Sequence, residues 1–231
     1  MPFPTSSDAC KKCSGNWKNF LFLTENEMQL VNNNRYEASF RPGEIMIKQG
    51  SPATHALFIA NGLAKVYMEG IKGKNFLLEI AKPGTIIMSP GAYINSRHTW
   101  TVAALTQAQA CFVSIDILKK SVTSNGEFAK GLLADMSERA LVTQRKMVSQ
   151  AQKRMSGRLA EILLYFATDI FGKDEYEMIL TRQELGEMAG MAKECVVRIL
   201  GEFEDKGLIY SDSVRLKILD REQLAEIAEK G

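Results

Sequence analysis

With only two histidines in 231 residues, His55 and His98, the chain has little general-base capacity. No Ser-His-Asp or Cys-His arrangement and no Walker-type phosphate loop accompanies them, so an enzyme is not expected. Four cysteines, Cys10, Cys13, Cys111 and Cys195, are too few and too scattered for a disulfide framework and read as thiols. The chain lacks the run of about 18 apolar residues needed to cross a bilayer, and its N-terminus lacks the charged-then-apolar pattern of a signal peptide. These absences predict a cytoplasmic protein without a membrane partner. What is present, 45% hydrophobic and 24% charged residues, suffices for two cores and argues against wholesale disorder.

The most informative stretch runs from Thr181 to Phe203. Thr181 can cap a helix, with Glu184 three residues on completing a capping box, and Gly190 breaks that helix. A second helix starts near Ala192. Ala192, Val196, Ile199, Leu200 and Phe203 fall on one side of it, and Lys193, Glu194, Val197 and Arg198 on the other. Arg can donate two bonds to guanine O6 and N7 and Glu can accept from cytosine N4, so the outward set has the chemistry of major-groove readout. Asp205-Lys206-Gly207 stops the helix, and Leu208–Tyr210 and Val214–Ile218 then read as two strands joined at a Ser211-Asp212-Ser213 turn, a wing.

LTRQELGEMAG followed by KECVVRILGEFEDKGLI resembles the winged helix-turn-helix of the cyclic-AMP receptor and fumarate–nitrate regulator (CRP/FNR) family. The resemblance implies double-stranded DNA and RNA polymerase as partners. It places Lys193, Glu194 and Arg198 on the family's Arg-Glu-x-x-x-x-Arg pattern, with Lys in the first position giving a point charge instead of a planar two-pronged donor. It also places Thr181, Arg182 and Gln183 against phosphates, where they set orientation without choosing sequence. Charge sharpens the expectation: from Arg154 onward 11 Lys+Arg face 16 Asp+Glu, a net of −5, against +7 for the preceding residues. A negative DNA-binding domain must attract through local arrangement, with Glu202-Glu204-Asp205, the acids of Asp174–Glu177 and the C-terminal tail turned from the groove.

Upstream, Pro42-Gly43, Gly50, Gly62, Gly73 and Pro83-Gly84 punctuate short apolar runs: Ile45–Ile47, Ala56–Ala60, Leu63–Met68, Phe76–Ile80, Ile86–Met88, Val102–Leu105 and Cys111–Ile115. Such spacing leaves no room for intervening helices and predicts an antiparallel β-roll of the jelly-roll kind, making the whole chain α+β. FRPGEIMIKQGSPATHALFIANGLAKVYMEG resembles the opening of the family's cyclic-nucleotide-binding roll. By that resemblance, a Gly-Glu pair for ribose and an Arg-Ser pair for phosphate should follow Pro83-Gly84. Here the stretch runs from Ile86 through Met88 to Gly91, and Trp100-Thr101 stands at the Arg-Ser position, which argues against cyclic AMP as effector. Arg97 can substitute as the anion partner or be a solvated loop residue, and Trp100 can floor an apolar ligand pocket or pack in the core.

A long helix is expected from Asn125 to Gln152. Ala129, Leu133, Met136, Ala140, Thr143 and Met147 recur at intervals of four and three, the seam of a parallel homodimer. Two subunits would read a near-palindromic operator, and effector binding would rotate the helices through a hinge at Lys153–Gly157. The resemblance implies Thr143 and Gln144 as effector contacts; otherwise they punctuate the seam. The expected order is an N-terminal segment (1–22), a sensory roll (23–122), a dimerisation helix (123–153) and a winged helix (154–231).

Other signals stay open beside a small-molecule effector. Cys10, Cys13 and Cys111 are similar to the ligands of oxygen-sensing relatives that hold an iron–sulfur cluster, although a further N-terminal cysteine is missing; alternatively Cys10 and Cys13 form a thiol–disulfide switch and Cys111 packs in the core. His98 lies near the haem-ligand position of carbon monoxide-sensing relatives, or is a loop histidine meeting water. A ligand-binding regulatory subunit acting on a partner protein is the alternative to an activator that binds DNA, but gives no reason for Glu194 and Arg198 to face outward.

Overall fold

The computed structural model describes residues 17–212 and 214–231. Cys10 and Cys13 therefore lie outside the described residues. The chain divides into two compact units, one running to Glu69 and resuming over Glu79–Ala140, the other made of Gly70–Leu78 and Leu141–Gly231.

Eight strands build the first architecture: β1 (Arg35–Phe40), β2 (Ile45–Ile47), β3 (His55–Asn61), β4 (Ala64–Glu69), β5 (Asn75–Ala81), β6 (Ile86–Ile87), β7 (Thr101–Ala104) and β8 (Ala108–Ser114). They form two four-stranded sheets of order β1-β8-β3-β6 and β2-β7-β4-β5, the roll the turn spacing predicts. β3 is buried from Ala56 through Ala60, because both of its faces are covered. Ala56, Phe58 and Ala60 join a cluster with Trp17, Phe20, Val31, Cys111 and Phe128, and Leu57 and Ile59 point the other way. β1 alternates Tyr36, Ala38 and Phe40 with Arg35, Glu37 and Ser39, but its burial does not follow that alternation, Tyr36 being exposed; it is held by antiparallel pairing with β8, from Arg35 opposite Val113 to Phe40 opposite Ala108.

Helices close the roll. α1 (Glu25–Asn33) begins at a capping box between Thr24 and Glu27. α2 is the single turn Gly91–Ile94, and α3 (Ile115–Ser124) is separate from the long helix α4 (Gly126–Gln152). Asn125 makes the break: its Oδ1 accepts from the Phe128 backbone N–H at 3.0 Å while its Nδ2 donates to the Phe22 carbonyl at 2.9 Å. Residues 17–22 are no free tail. Trp17 packs edge-on against Phe20 and Phe128, its indole N–H donates to Asp135, and Asn19 donates to the same carboxylate at 2.9 Å. Gly131 permits this approach, since a Cβ there would lie 2.6 Å from the Asn19 side-chain oxygen Oδ1.

In the second unit, Lys146 on α4 donates to the carbonyls of Leu77 and Leu78 at 2.7 and 3.0 Å. α4 stops at Gln152, and α5 (Met155–Tyr165) follows after the Lys153–Arg154 break, the position of the expected hinge. Then come β9 (Glu175–Glu177), α6 (Arg182–Ala189), α7 (Lys193–Asp205), β10 (Ile209–Ser211), β11 (Arg215–Ile218) and α8 (Arg221–Lys230). The sheet order is β10-β11-β9, so the two-stranded wing gains a third strand from the acidic segment. Tyr176 explains that strand. It is buried, stacks near Phe166 and Phe171, and its hydroxyl donates to the Leu163 carbonyl at 2.9 Å, while Glu175 and Glu177 on either side face water.

His98 departs from the expectation of a loop histidine meeting water: it is buried in the roll. Its backbone N–H donates to the Ser51 carbonyl and its own carbonyl accepts from Gly50, so the two loops hold it there. Burial pushes its imidazole pKa below the ordinary value, about 6.5.

Two stability predictions result. Phe128→Ala should cost about 3–5 kcal/mol, read from urea unfolding, because it empties the centre of the cluster under β3. In the window below about 6.5 and above His98's lowered folded value, the unfolded chain holds more protons, so stability should fall as pH drops through it. His98→Gln should flatten that part of a thermal-melting profile; a profile unchanged by the substitution would assign the acid sensitivity elsewhere.

Candidate nucleic-acid interface and sensory surface

The helix-turn-helix forms for local reasons. Thr181 Oγ1 accepts from the Glu184 backbone N–H at 3.2 Å, and Glu184 accepts in return from the Thr181 backbone N–H at 2.8 Å, completing the expected capping box. Gly190 closes α6 in the left-handed region at φ 64°, and a Cβ there would stand 2.3 Å from the Gln150 side-chain oxygen. On α7 the burial of Val196, Ile199, Leu200 and Phe203 fixes the rotation of the helix about its axis. Ala192 is not part of that packed flank; it is the exposed cap residue, since the helix proper begins at Lys193.

Lys193, Glu194, Val197 and Arg198 are exposed together on the opposite flank. Arg198 is 56% exposed and ion-paired through Nη1 with Glu202, one turn further on. The sequence grouped Glu202 with acids turned from the groove. Spacing i to i+4 was the signal that it belongs instead beside Arg198. Glu204 of the same group faces the wing, accepting from the Ser211 backbone N–H at 2.8 Å.

Thr181, Arg182 and Gln183 open α6 as expected, but their engagements differ. Arg182 reaches the wing turn, donating to Ser211 Oγ at 2.8 Å and to the Asp212 carbonyl at 3.2 Å. Gln183 donates to Glu187 at 3.4 Å, and Thr181 is exposed. The Asp212 carboxylate accepts from the backbone N–H groups of Arg215 and Val214 at 2.6 and 2.7 Å, and these bonds hold its pKa below the usual carboxylate range. Arg182 thus ties the first helix to a turn that is itself pinned.

In the roll, the candidate effector residues carry internal obligations. Thr101 is fully buried; its hydroxyl donates to Glu69 at 2.9 Å and accepts from the Gln49 backbone N–H at 3.0 Å. Ser89, also buried, shares a hydroxyl–hydroxyl bond with Thr99 at 3.0 Å and accepts from the Thr99 backbone N–H at 2.8 Å. Arg97 lies exposed with Nη1 donating to the Gly50 carbonyl at 2.7 Å. Met88 is half-buried against the core cluster, and Trp100 is half-buried with no hydrogen-bond partner for its buried indole nitrogen. The hydroxyls of Ser89 and Thr101 are thus bonded internally, Thr101 beside a carboxylate, and one Arg97 nitrogen is held by a carbonyl. Thr143 and Gln144 lie exposed on α4.

The α4 seam is open along its length: Leu133, Met136 and Met147 are 64%, 44% and 66% exposed, Ala140 is exposed and Ala129 half-buried. Cys111 is buried in β8 with an Arg35 guanidinium nitrogen 3.5 Å from its sulfur. Among the described residues, no group of three His, Cys, Asp or Glu side chains is placed to hold a metal, and no helix is long and apolar enough to cross a membrane.

Comparison with known proteins agrees with this architecture. The cyclic nucleotide-binding domain family matches residues 37–125 and the Crp-like helix-turn-helix domain family residues 157–227. The cAMP-activated global transcriptional regulator CRP of Escherichia coli is 30% identical over 169 residues, covering 71% of this chain and 80% of that protein. FixK2 of Bradyrhizobium japonicum superposes with a TM-score of 0.75 at 19% identity, over 84% of this chain and 96% of that one. A CRP/FNR-family regulator of Eubacterium rectale gives 0.77 at 19% identity, over 92% and 98%. With a roll, a long helix and a capped helix-turn-helix in that order, and with these matches to both halves, the chain belongs to the CRP/FNR family of DNA-binding transcription regulators.

Proposed function

We propose that the protein is a homodimeric regulator that reads a near-palindromic operator with α7 and whose DNA binding answers to an effector other than cyclic AMP. The observation that carries the reading is the outward flank of α7, where Lys193, Glu194, Val197 and Arg198 offer two cations, one carboxylate and one methyl-bearing surface to base edges. Arg198 donates to guanine, Glu194 accepts from cytosine, and Val197 suits a thymine methyl. Thr181, Gln183 and the wing meet phosphates, with Arg182 holding the wing in register.

Homodimerisation is supported by the open seam on α4. Exposed Leu133, Met136 and Met147 at heptad spacing leave apolar area in water that a second copy of the helix would cover. Two copies then present two α7 helices to successive major grooves. The case against cyclic AMP rests on the occupied hydroxyls and on the missing guanidinium, since a phosphate buried without a cationic partner costs several kcal/mol. A small organic effector acting through the roll and α4, with RNA polymerase as downstream partner, completes the proposal.

Selection from random duplexes should return an operator with two inverted half-sites about one helical turn apart. A pool with no enrichment at low salt would remove the reading. Arg198→Ala should cost about 1–3 kcal/mol on that operator and relax preference at one guanine, whereas Arg182→Ala should weaken all sequences alike. Fluorescence anisotropy on single-base operator variants separates the two. Met136→Glu combined with Met147→Glu should yield monomers in sedimentation and abolish operator binding; dimers that persist would move the interface off the seam. Millimolar cyclic AMP should leave operator affinity unchanged, and a tightening of tenfold or more (about 1.4 kcal/mol) would restore it as effector.

A further inference from the structure

Glu202 is misplaced for a residue whose only task is to stabilise a helix. It lies near the C-terminal end of α7, where the helix macrodipole disfavours negative charge, with Lys206 at the cap as the cation that follows it. It also follows its partner Arg198 in the chain, the less favourable order for an i,i+4 pair. Its neighbour Glu204 has a structural duty, accepting from the Ser211 backbone N–H, but the one side-chain partner of Glu202 among the described residues is Arg198, through Nη1. Gly201 beside it has open space where a side chain would stand, and the Arg198–Glu202 pair is partly exposed.

Resting on the DNA-reading function proposed above, we infer that Glu202 is a specificity-determining positioning residue: it holds the Arg198 guanidinium ready for guanine and penalises every other base. A guanidinium carries five N–H donors in a rigid fork. With one nitrogen held by Glu202, the remaining donors stay available for guanine O6 and N7, and the side chain's rotamers are narrowed before the duplex arrives. Where the base offers no such acceptor pair, Arg198 stays with Glu202. The pair then withholds the Arg198 cation from phosphates that any duplex would offer, which disfavours wrong partners.

Glu202→Gln keeps size and hydrogen-bonding capacity while removing the charge. On operators selected by the wild-type protein, the variant should bind non-specific duplex several-fold more tightly. Its discrimination at the Arg198-read base pair should fall about three- to tenfold, and its non-specific salt slope should steepen by up to about 0.9. In an Arg198→Ala background the same substitution should leave base preference unchanged, because there is no guanidinium left to position. A merely helix-stabilising Glu202 would move the melting temperature and leave the discrimination ratio where it was; that result, obtained with a wild-type protein that does select an operator, overturns this inference alone. A wild-type protein that selects no operator overturns the DNA reading, and this inference with it.

Discussion

The rotation of α7 about its own axis is the constraint on which the rest of the site depends. Val196, Ile199, Leu200 and Phe203 must leave water, and once they do, Lys193, Glu194, Val197 and Arg198 have no direction but outward. Every element around α7 preserves that rotation. The Thr181–Glu184 box starts α6, Gly190 turns the chain where a side chain would strike Gln150, and β10 with β11 closes behind Phe203. Arg182, bonded to Ser211 and Asp212, ties the start of α6 to the wing, so the elements that would meet phosphate and bases are mechanically one piece.

The roll follows the same economy with a different outcome. Its buried hydroxyls are satisfied internally, Thr101 by Glu69 and Gln49 and Ser89 by Thr99, while at the surface Arg97 donates to the Gly50 carbonyl. The Trp100 indole nitrogen and His98 Nδ1 are exceptions, both buried without a partner.

Much of this was legible in one dimension. The turn residues marked seven of the eight strands, because Gly and Pro punctuate antiparallel strands whatever those strands pack against. The α6 capping box and the period of α7 gave the start of the first helix and the outward flank of the second directly. Three features escaped the turn and burial pattern. β1 alternates in sequence, but its burial does not follow that alternation, and its pairing with β8 holds it. β9 hides one buried tyrosine among acids that look like a solvated loop, and its place in the wing sheet depends on Phe166 and Phe171 stacking near it. His98 looks like a loop residue, which it is by backbone, yet its side chain is buried.

The sequence by itself determined the order of domains, the faces of the helices and the residues turned outward on α7, because those depend on periodicity and on local backbone bonds between residues at most a few positions apart. Tertiary structure alone decided which polar groups are already spent. The pairing of Arg182 with the wing 29 residues away, of Thr101 with Glu69, and of Trp17 with Asp135 across 118 residues brings together side chains whose separation in the chain carries no signal. A hydrogen bond is a statement about distance in space, and only the packed cores that set those distances could supply it.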